Sequence, residues 1–248
     1  LLTIINDILD FSKIEAGKVE LDTAEFGLQE TIEDVSELLA ERAYSKGLDF
    51  AVTIDQRLPA RVLGDSGRYR QVLTNLLGNA IKFTLQGEVV MRVELVECTD
   101  RDIVIRSEIR DTGIGIPDSA KQNIFDAFEQ ADMSTTRRFG GTGLGLSISR
   151  QLVAKMGGWI GFDSTEGRGS TFWFTVRLGR VAGSPVGAPV PPLVDPVSGQ
   201  TPRMLVVDEH PATCEGLVSL LVGLGLRAEP AGSGREAFDR LADPSVTN

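Results

Sequence analysis

The position of glycine and asparagine at the ends of regular elements constrains this chain most. Four short segments follow one another in order: Asn75 to Thr84, Asp111 to Pro117, Phe139 to Leu146 and Gly167 to Phe172. Asp111-Thr112-Gly113-Ile114-Gly115 closes an alternating run, and Gly141-Thr142-Gly143-Leu144-Gly145 opens a helical one. Any one of these is an ordinary loop or hinge signal. Together they require a fold in which a helix and three glycine-bearing turns meet.

The periodicities say which elements do the meeting. Leu28, Ile32, Val35, Leu38 and Leu39 form a helical stripe that stops near Gly47, and Asp49 to Ile54 alternates like a strand until Leu58-Pro59. Asp65 is placed to cap a helix through Tyr69, Val72, Leu73, Leu76, Leu77 and Ile81. Val89 to Val96 and Ile103 to Ile109 read as paired strands around a Thr99–Asp102 turn. A short helix is expected over Ala120 to Phe128 and a longer one over Leu144 to Met156. Trp159 to Asp163 and Thr171 to Leu178 read as a final hairpin. This mixture predicts the α/β class, as a two-layer α/β sandwich with helices on one face of a mixed sheet.

In this order and spacing the four segments resemble the N box and the three glycine boxes of sensor histidine kinases, whose catalytic domain has the Bergerat-type fold. Ile5-Asn6-Asp7-Ile8-Leu9-Asp10-Phe11-Ser12-Lys13-Ile14-Glu15-Ala16-Gly17 resembles that family's second dimerisation helix. The acceptor histidine of the family sits on the preceding helix, which this sequence does not include. After a stretch with six prolines, Met204 to Val207, the acidic pair Asp208-Glu209, a helix through Leu217 and Leu224 and a strand-to-helix step over Gly232 to Leu241 resemble the start of a receiver domain. The resemblance divides the chain into a helix end at 1–17, a catalytic domain at 18–179, a Pro-rich linker at 180–202 and a partial receiver at 203–248. It implies a hybrid histidine kinase that binds ATP and Mg²⁺. The implied reaction passes the γ-phosphoryl group to a histidine on a dimerisation domain, for relay to a response regulator or receiver. It also implies a homodimer through the dimerisation helices.

On that resemblance the nucleotide is held by Asn75, Asn79, Lys82, Phe83, Asp111, Gly113, Gly115, Ile116, Gly141, Thr142, Gly143, Leu144, Gly145, Leu146 and Thr171, with Asn79 as the metal ligand. No side chain is expected to be catalytic, because the acceptor is missing. The residue types fit these duties. An ionised Asp111 only accepts hydrogen bonds, which suits the exocyclic amine of adenine and disfavours the carbonyl of guanine. Asn75 and Asn79 share a helix face, and Asn79 offers a neutral oxygen to Mg²⁺. Lys82 is a point charge for phosphate. Related ATPases of this fold carry a glutamate at the Asn75 position, and a carboxamide is no general base, so Asn75 argues against direct hydrolysis. Backbone amides at the start of the Gly145 helix favour phosphate oxygens. Phe125 and Phe128 resemble the F box before a nucleotide lid, in which Arg137 and Arg138 either reach phosphate or stay solvated. Thr171 resembles the family's base-proximal threonine. The alternatives are a nucleotide-binding regulatory module without kinase activity and a hydrolase of the same fold, which Asn75 opposes.

A net charge of −10 argues against a nucleic-acid surface. Cys98 and Cys214 fit no metal-ligand spacing and suit reduced thiols in the cytoplasm. No apolar run approaches the ~20 residues of a membrane span. The chain begins inside a helical pattern without Met, so it is expected to be a piece of a longer protein that could carry an upstream anchor. His210, the sole histidine, lies in no acceptor motif and reads as a surface residue. Asp208 and Glu209 are Mg²⁺ candidates only by the receiver resemblance. The segment after the linker is expected to move independently.

Overall fold

Alternating runs build one sheet, and helical stripes cover one of its faces. The strands are β1 (Ala24–Gly27), β2 (Asp49–Ile54), β3 (Arg61–Gly64), β4 (Glu88–Cys98), β5 (Asp102–Asp111), β6 (Ile160–Thr165) and β7 (Gly169–Arg180). The computed structural model describes residues 2–16, 18–128, 143–181, 203–223 and 225–241. The sheet runs β1–β3–β7–β5–β4–β2, with β6 also on β7. Only β2 against β4 is parallel, so the sheet is mixed. β4, β5 and β7 are its longest strands and sit at its centre, where the two-residue period sends Val89, Met91, Val93, Ile103, Ile105, Ile109, Phe174 and Val176 inward. Arg106, Glu108 and Arg110 alternate with these on the opposite face.

Helices α2 (Leu28–Ser45), α3 (Ser66–Phe83) and α5 (Gly145–Lys155) form the second layer, while α4 (Asp118–Lys121) is a single turn. The stripe on α3 (Tyr69, Val72, Leu73, Leu76, Leu77, Ala80 and Ile81) is buried against the sheet. Asp65 starts α3 as expected: its carboxylate accepts from Arg68 N at 2.9 Å and from Asp22 N at 3.0 Å. At the other end of α3, the Lys46 ammonium donates to the carbonyls of Ile81 at 2.6 Å and Lys82 at 3.1 Å, where a cation suits the helix dipole. Tyr69 is fully buried and its hydroxyl pairs with Ser107 at 3.0 Å, the polar contact that burial of a phenol requires.

Helix α1 (Leu2–Glu15) divides its apolar face. Ile14 is buried and the Phe11 ring meets Phe128 edge-on at 5.6 Å, while Ile5, Ile8 and Leu9 are exposed. Asp10 fixes α1 to α3 through Arg68 at 3.2 Å and Gln71 at 2.8 Å.

Two element expectations need correction. The helix expected over Ala120 to Phe128 is the one turn of α4, followed by hydrogen-bonded turns in which Asn123 N donates to Ala120 O and Asp126 N to Asn123 O. β3, absent from the sequence reading, forms directly after Pro59-Ala60.

Beyond the linker, β8 (Arg203–Val207) and β9 (Arg227–Ala231) pair in parallel, joined by α6 (Pro211–Gly223) and followed by α7 (Gly234–Leu241). That is the strand–helix order the sequence predicts. The unit lies against the seven-stranded sheet: Glu215 reaches Arg92 at 3.7 Å, and the His210 imidazole lies 3.3 Å from Asp49 and 3.2 Å from Asp208. A cleft of about 430 Å³ lies between α6, the end of β2 and the middle of β4, with Asp55, Arg57, Arg92 and Ser219 in its walls. Among the described residues no helix is long and apolar enough to cross a membrane.

Candidate functional site

The Asp111–Pro117 loop joins the end of α3 to the β6–β7 turn, and Gly143–Leu146, the described part of the third segment, meets Asn75 on α3. Asp111 is the last residue of β5 and is buried. It pairs with Val89 on one side and Ser170 on the other, so its side chain lies on the helix-covered face. Gly113 N donates to its Oδ1 at 2.8 Å and Ser170 N at 3.3 Å. Among the described residues, hydrogen bonds reach this carboxylate only at Oδ1. Burial pushes its pKa above the ordinary aspartate range, and the two backbone donors pull against that shift.

Steric demand explains the glycines here. A Cβ on Gly113 would stand 2.6 Å from the Phe83 carbonyl oxygen and 2.8 Å from Asp111 Oδ1. Gly115 has φ +67° and lies on the Thr165 carbonyl, so any side chain would be both strained and obstructed. The loop is then tied to the hairpin: Gly167 N donates to Ile114 O at 2.8 Å, and Ile116 N donates to Ser164 Oγ at 2.8 Å. Ile114 N, in turn, donates to the Phe83 carbonyl at 3.3 Å, which joins the loop to the end of α3.

Asn75 and Asn79 lie one turn apart on α3, both half-buried. The Asn75 amide donates to Ser149 Oγ on α5 at 2.9 Å, and its oxygen occupies the space that a Cβ on Gly145 would fill. Asn75 thus holds the start of α5 against α3. Lys82 sits with its ammonium 4.6 Å from the Phe83 ring centre, and partial burial pulls its pKa below the ordinary lysine range. Leu144 is buried and Leu146 partly so, both packed into the core at the start of α5. Gly143 has φ +72° and its carbonyl accepts from Phe128 N at 3.2 Å, so the two ends of the intervening segment meet. Phe125 anchors the first of those ends, 5.9 Å from the Phe162 ring. Gly141, Thr142, Arg137 and Arg138 lie outside the described residues.

Thr171 is not placed where the sequence reading put it. It pairs with Arg110 and Asp163, on the outer face of the sheet, away from the Asp111 carboxylate. The residue beside Asp111 is Ser170, buried and one position earlier. A cleft of about 210 Å³ at this strand end is lined by Arg110, Asp163 and Thr171 as well as by Asp111 and Ser170. No residue of α3 lines it, so that cleft is not the space between the sheet and α3. Sequence reasoning also missed Ser164, whose hydroxyl lies 2.9 Å from Ser170 Oγ and 3.0 Å from Gly169 O. The available signal was two serines flanking the Gly167–Gly169 turn at matching positions.

Comparison with known proteins gives the class of this domain. Residues 64–180 match the family described as histidine kinase-, DNA gyrase B- and HSP90-like ATPase, so the central domain is of that ATPase class. The signal transduction histidine-protein kinase BarA of Escherichia coli is 50% identical over 178 residues, covering 72% of this chain and 19% of BarA. The sensor histidine kinase GacS of Pseudomonas protegens is 43% identical over 230 residues, covering 93% of this chain and 24% of GacS. The crystal structure of full-length ShkA in complex with AMPPNP superposes with a TM-score of 0.79 at 31% identity, covering 96% of this chain and 47% of ShkA. The central domain of this chain is a catalytic domain of the histidine kinase type. The chain spans about a fifth to a quarter of the length of the two curated relatives, 19% and 24%.

Proposed function

We propose that this chain is the ATP-binding catalytic part of a hybrid sensor histidine kinase, and that it presents the γ-phosphoryl group of ATP to a histidine on a dimerisation domain. The observation that carries this reading is Asp111: a buried carboxylate with its described hydrogen bonds on one oxygen, in a loop whose glycines let it fold tightly against the Phe83 and Thr165 carbonyls. A buried acceptor with an uncommitted oxygen calls for a donor, and the adenine amine supplies one. Gly113, Gly115 and Ile116 would line the base, with Phe83 behind them. Asn79 would offer its oxygen to Mg²⁺, and Lys82 with the amides of Gly143, Leu144 and Gly145 would face phosphate. ATP supplies the transferable phosphoryl group, and Mg²⁺ would offset its charge. Asn75 holds α5 in place and is not a base, which supports transfer to an outside nucleophile over hydrolysis. In the full-length protein the partners would be a second copy, through helices continuing α1, and a response regulator or receiver domain. The cytoplasm is the compartment such a relay needs.

Titration with a fluorescent ATP analogue tests the site. Asp111→Asn and Asn79→Asp are each expected to weaken binding by about tenfold, or about 1.4 kcal/mol. Unchanged affinity in both would remove the assignment. The chain by itself is expected to form no phosphohistidine. His210 is its sole histidine and is engaged by Asp49 and Asp208. Acid-labile label from γ-labelled ATP that disappears in His210→Ala would contradict this. A supplied dimerisation domain bearing the acceptor helix is expected to become labelled in trans.

A further inference from the structure

Among the described residues the hydroxyl of Ser164 has three hydrogen-bonding neighbours, and it has one proton. Ile116 N lies 2.8 Å away and can only donate. The Gly169 carbonyl oxygen lies 3.0 Å away and can only accept. Ser170 Oγ lies 2.9 Å away and could do either. With the Ser164 proton on Gly169 O and one lone pair taken by Ile116 N–H, the remaining lone pair has one possible donor, the Ser170 hydroxyl. Of the two arrangements open to the Ser164 proton, this one turns the Ser170 proton toward Ser164 and away from Asp111. What Ser170 then offers the space beside Asp111 is lone pairs alone. Asp111, ionised, also offers only lone pairs, and Ser170 N already donates to its Oδ1 at 3.3 Å.

We propose that Ser164 is a specificity-positioning residue: it orients the Ser170 hydroxyl so that Ser170 and Asp111 present acceptors only, which selects a 6-amino purine nucleotide over a 6-oxo one. The inference rests on the nucleotide site proposed above. Ser164 sits on β6, Ser170 on β7 and Ile116 on the loop after Asp111, so one hydroxyl joins the hairpin to that loop and sets the direction of a second hydroxyl. Without Ser164 the Ser170 proton is free to rotate toward the ligand and donate to a 6-oxo group, and the discrimination built into the acceptor pair is lost.

The test is competition of Mg-ATP and Mg-GTP against a fluorescent ATP analogue, with the thermal midpoint measured on the same samples. Ser164→Ala is expected to lower the ratio of ATP to GTP affinity by about three- to tenfold, the worth of one neutral hydrogen bond. Ser164→Thr keeps the hydroxyl and is expected to restore the ratio. Ser170→Ala is expected to lower the ratio by itself, and adding Ser164→Ala to it should change the ratio no further, because Ser164 acts through Ser170. A Ser164→Ala protein that loses thermal stability, or loses both affinities equally, while keeping its ratio would overturn the proposal and leave Ser164 as a structural tie. If Ser164→Ala does not fold, an unchanged ratio in Ser170→Ala overturns it equally. Failure of the wild-type protein to bind the ATP analogue at all would count against the nucleotide site itself.

Discussion

Asp111 is under two opposed influences, and its ionisation reports which prevails. Burial favours the neutral acid, while the amides of Gly113 and Ser170 favour the carboxylate, and burial is the larger effect. An acid whose folded pKa is raised contributes stability when protonated, below its unfolded value, and that contribution is lost as pH rises through the folded value. Binding runs the other way, because an adenine amine needs the ionised acceptor. Affinity for the ATP analogue is therefore expected to fall on acidification at a pH above the ordinary aspartate value of 3.8, and Asp111→Asn should flatten that limb. A wild-type profile that matches the variant would show that Asp111 does not titrate in the binding reaction. Asp111 itself was legible in the sequence because its motif is local: a strand end followed by two spaced glycines. Ser170 was not, because choosing it over Thr171 needs the register of β7 against β5. One residue of slip moves a side chain to the other face of a sheet.

Among the elements, α3 carries most of the site and has the most defined ends. Asp65 closes its first turn and also receives the Asp22 N–H, so Asp65→Ala removes two acceptor contacts at once. The expected cost is about 1–2 kcal/mol of unfolding free energy in a denaturant titration, with the m-value unchanged. A change within experimental error would mean that packing of the Tyr69 stripe alone fixes where α3 starts. The helix was readable because cap, stripe and length agreed, and β4 and β5 were readable because their alternation runs over many residues. β3 was not: it is 4 residues long with one buried side chain, Val62, and it exists through pairing with β1 and two residues of β7. The helix expected over Ala120 to Phe128 failed for a related reason. Its aromatic residues serve tertiary contacts, Phe125 with Phe162 and Phe128 with Phe11, and Phe128 takes φ +66°, which no helix continues through.

At the scale of the whole molecule, the open face of the seven-stranded sheet meets the β8–β9 unit. Asp49, Thr53 and Arg92 lie on the face opposite the helices, since Phe50, Val52, Val89, Met91 and Val93 alternate inward. α6 lies against that face: His210 just before it contacts Asp49, Glu215 contacts Arg92, and Gly216 comes within reach of the Thr53 hydroxyl. Independent movement on a Pro-rich linker was the expectation from composition, and composition holds no information about this surface. The contacts are polar and solvent-exposed, each worth about 0–1 kcal/mol, so the docked arrangement is marginal and open to disruption by one bulky residue. Met204, Leu217, Leu220 and Phe238 are also exposed, which leaves the small β8–β9 unit little core of its own. Two outcomes follow for amide hydrogen exchange. Met204–Val207 should exchange faster than Val89–Val93, because a two-stranded sheet opens more readily than the centre of a seven-stranded one. Gly216→Phe should then speed exchange of Asp49–Ile54 while leaving Val89–Val93 unchanged, since bulk at that contact pushes α6 off β2 without touching the helix-covered core. Equal protection of Asp49–Ile54 in wild type and variant would show that α6 does not cover β2 in solution.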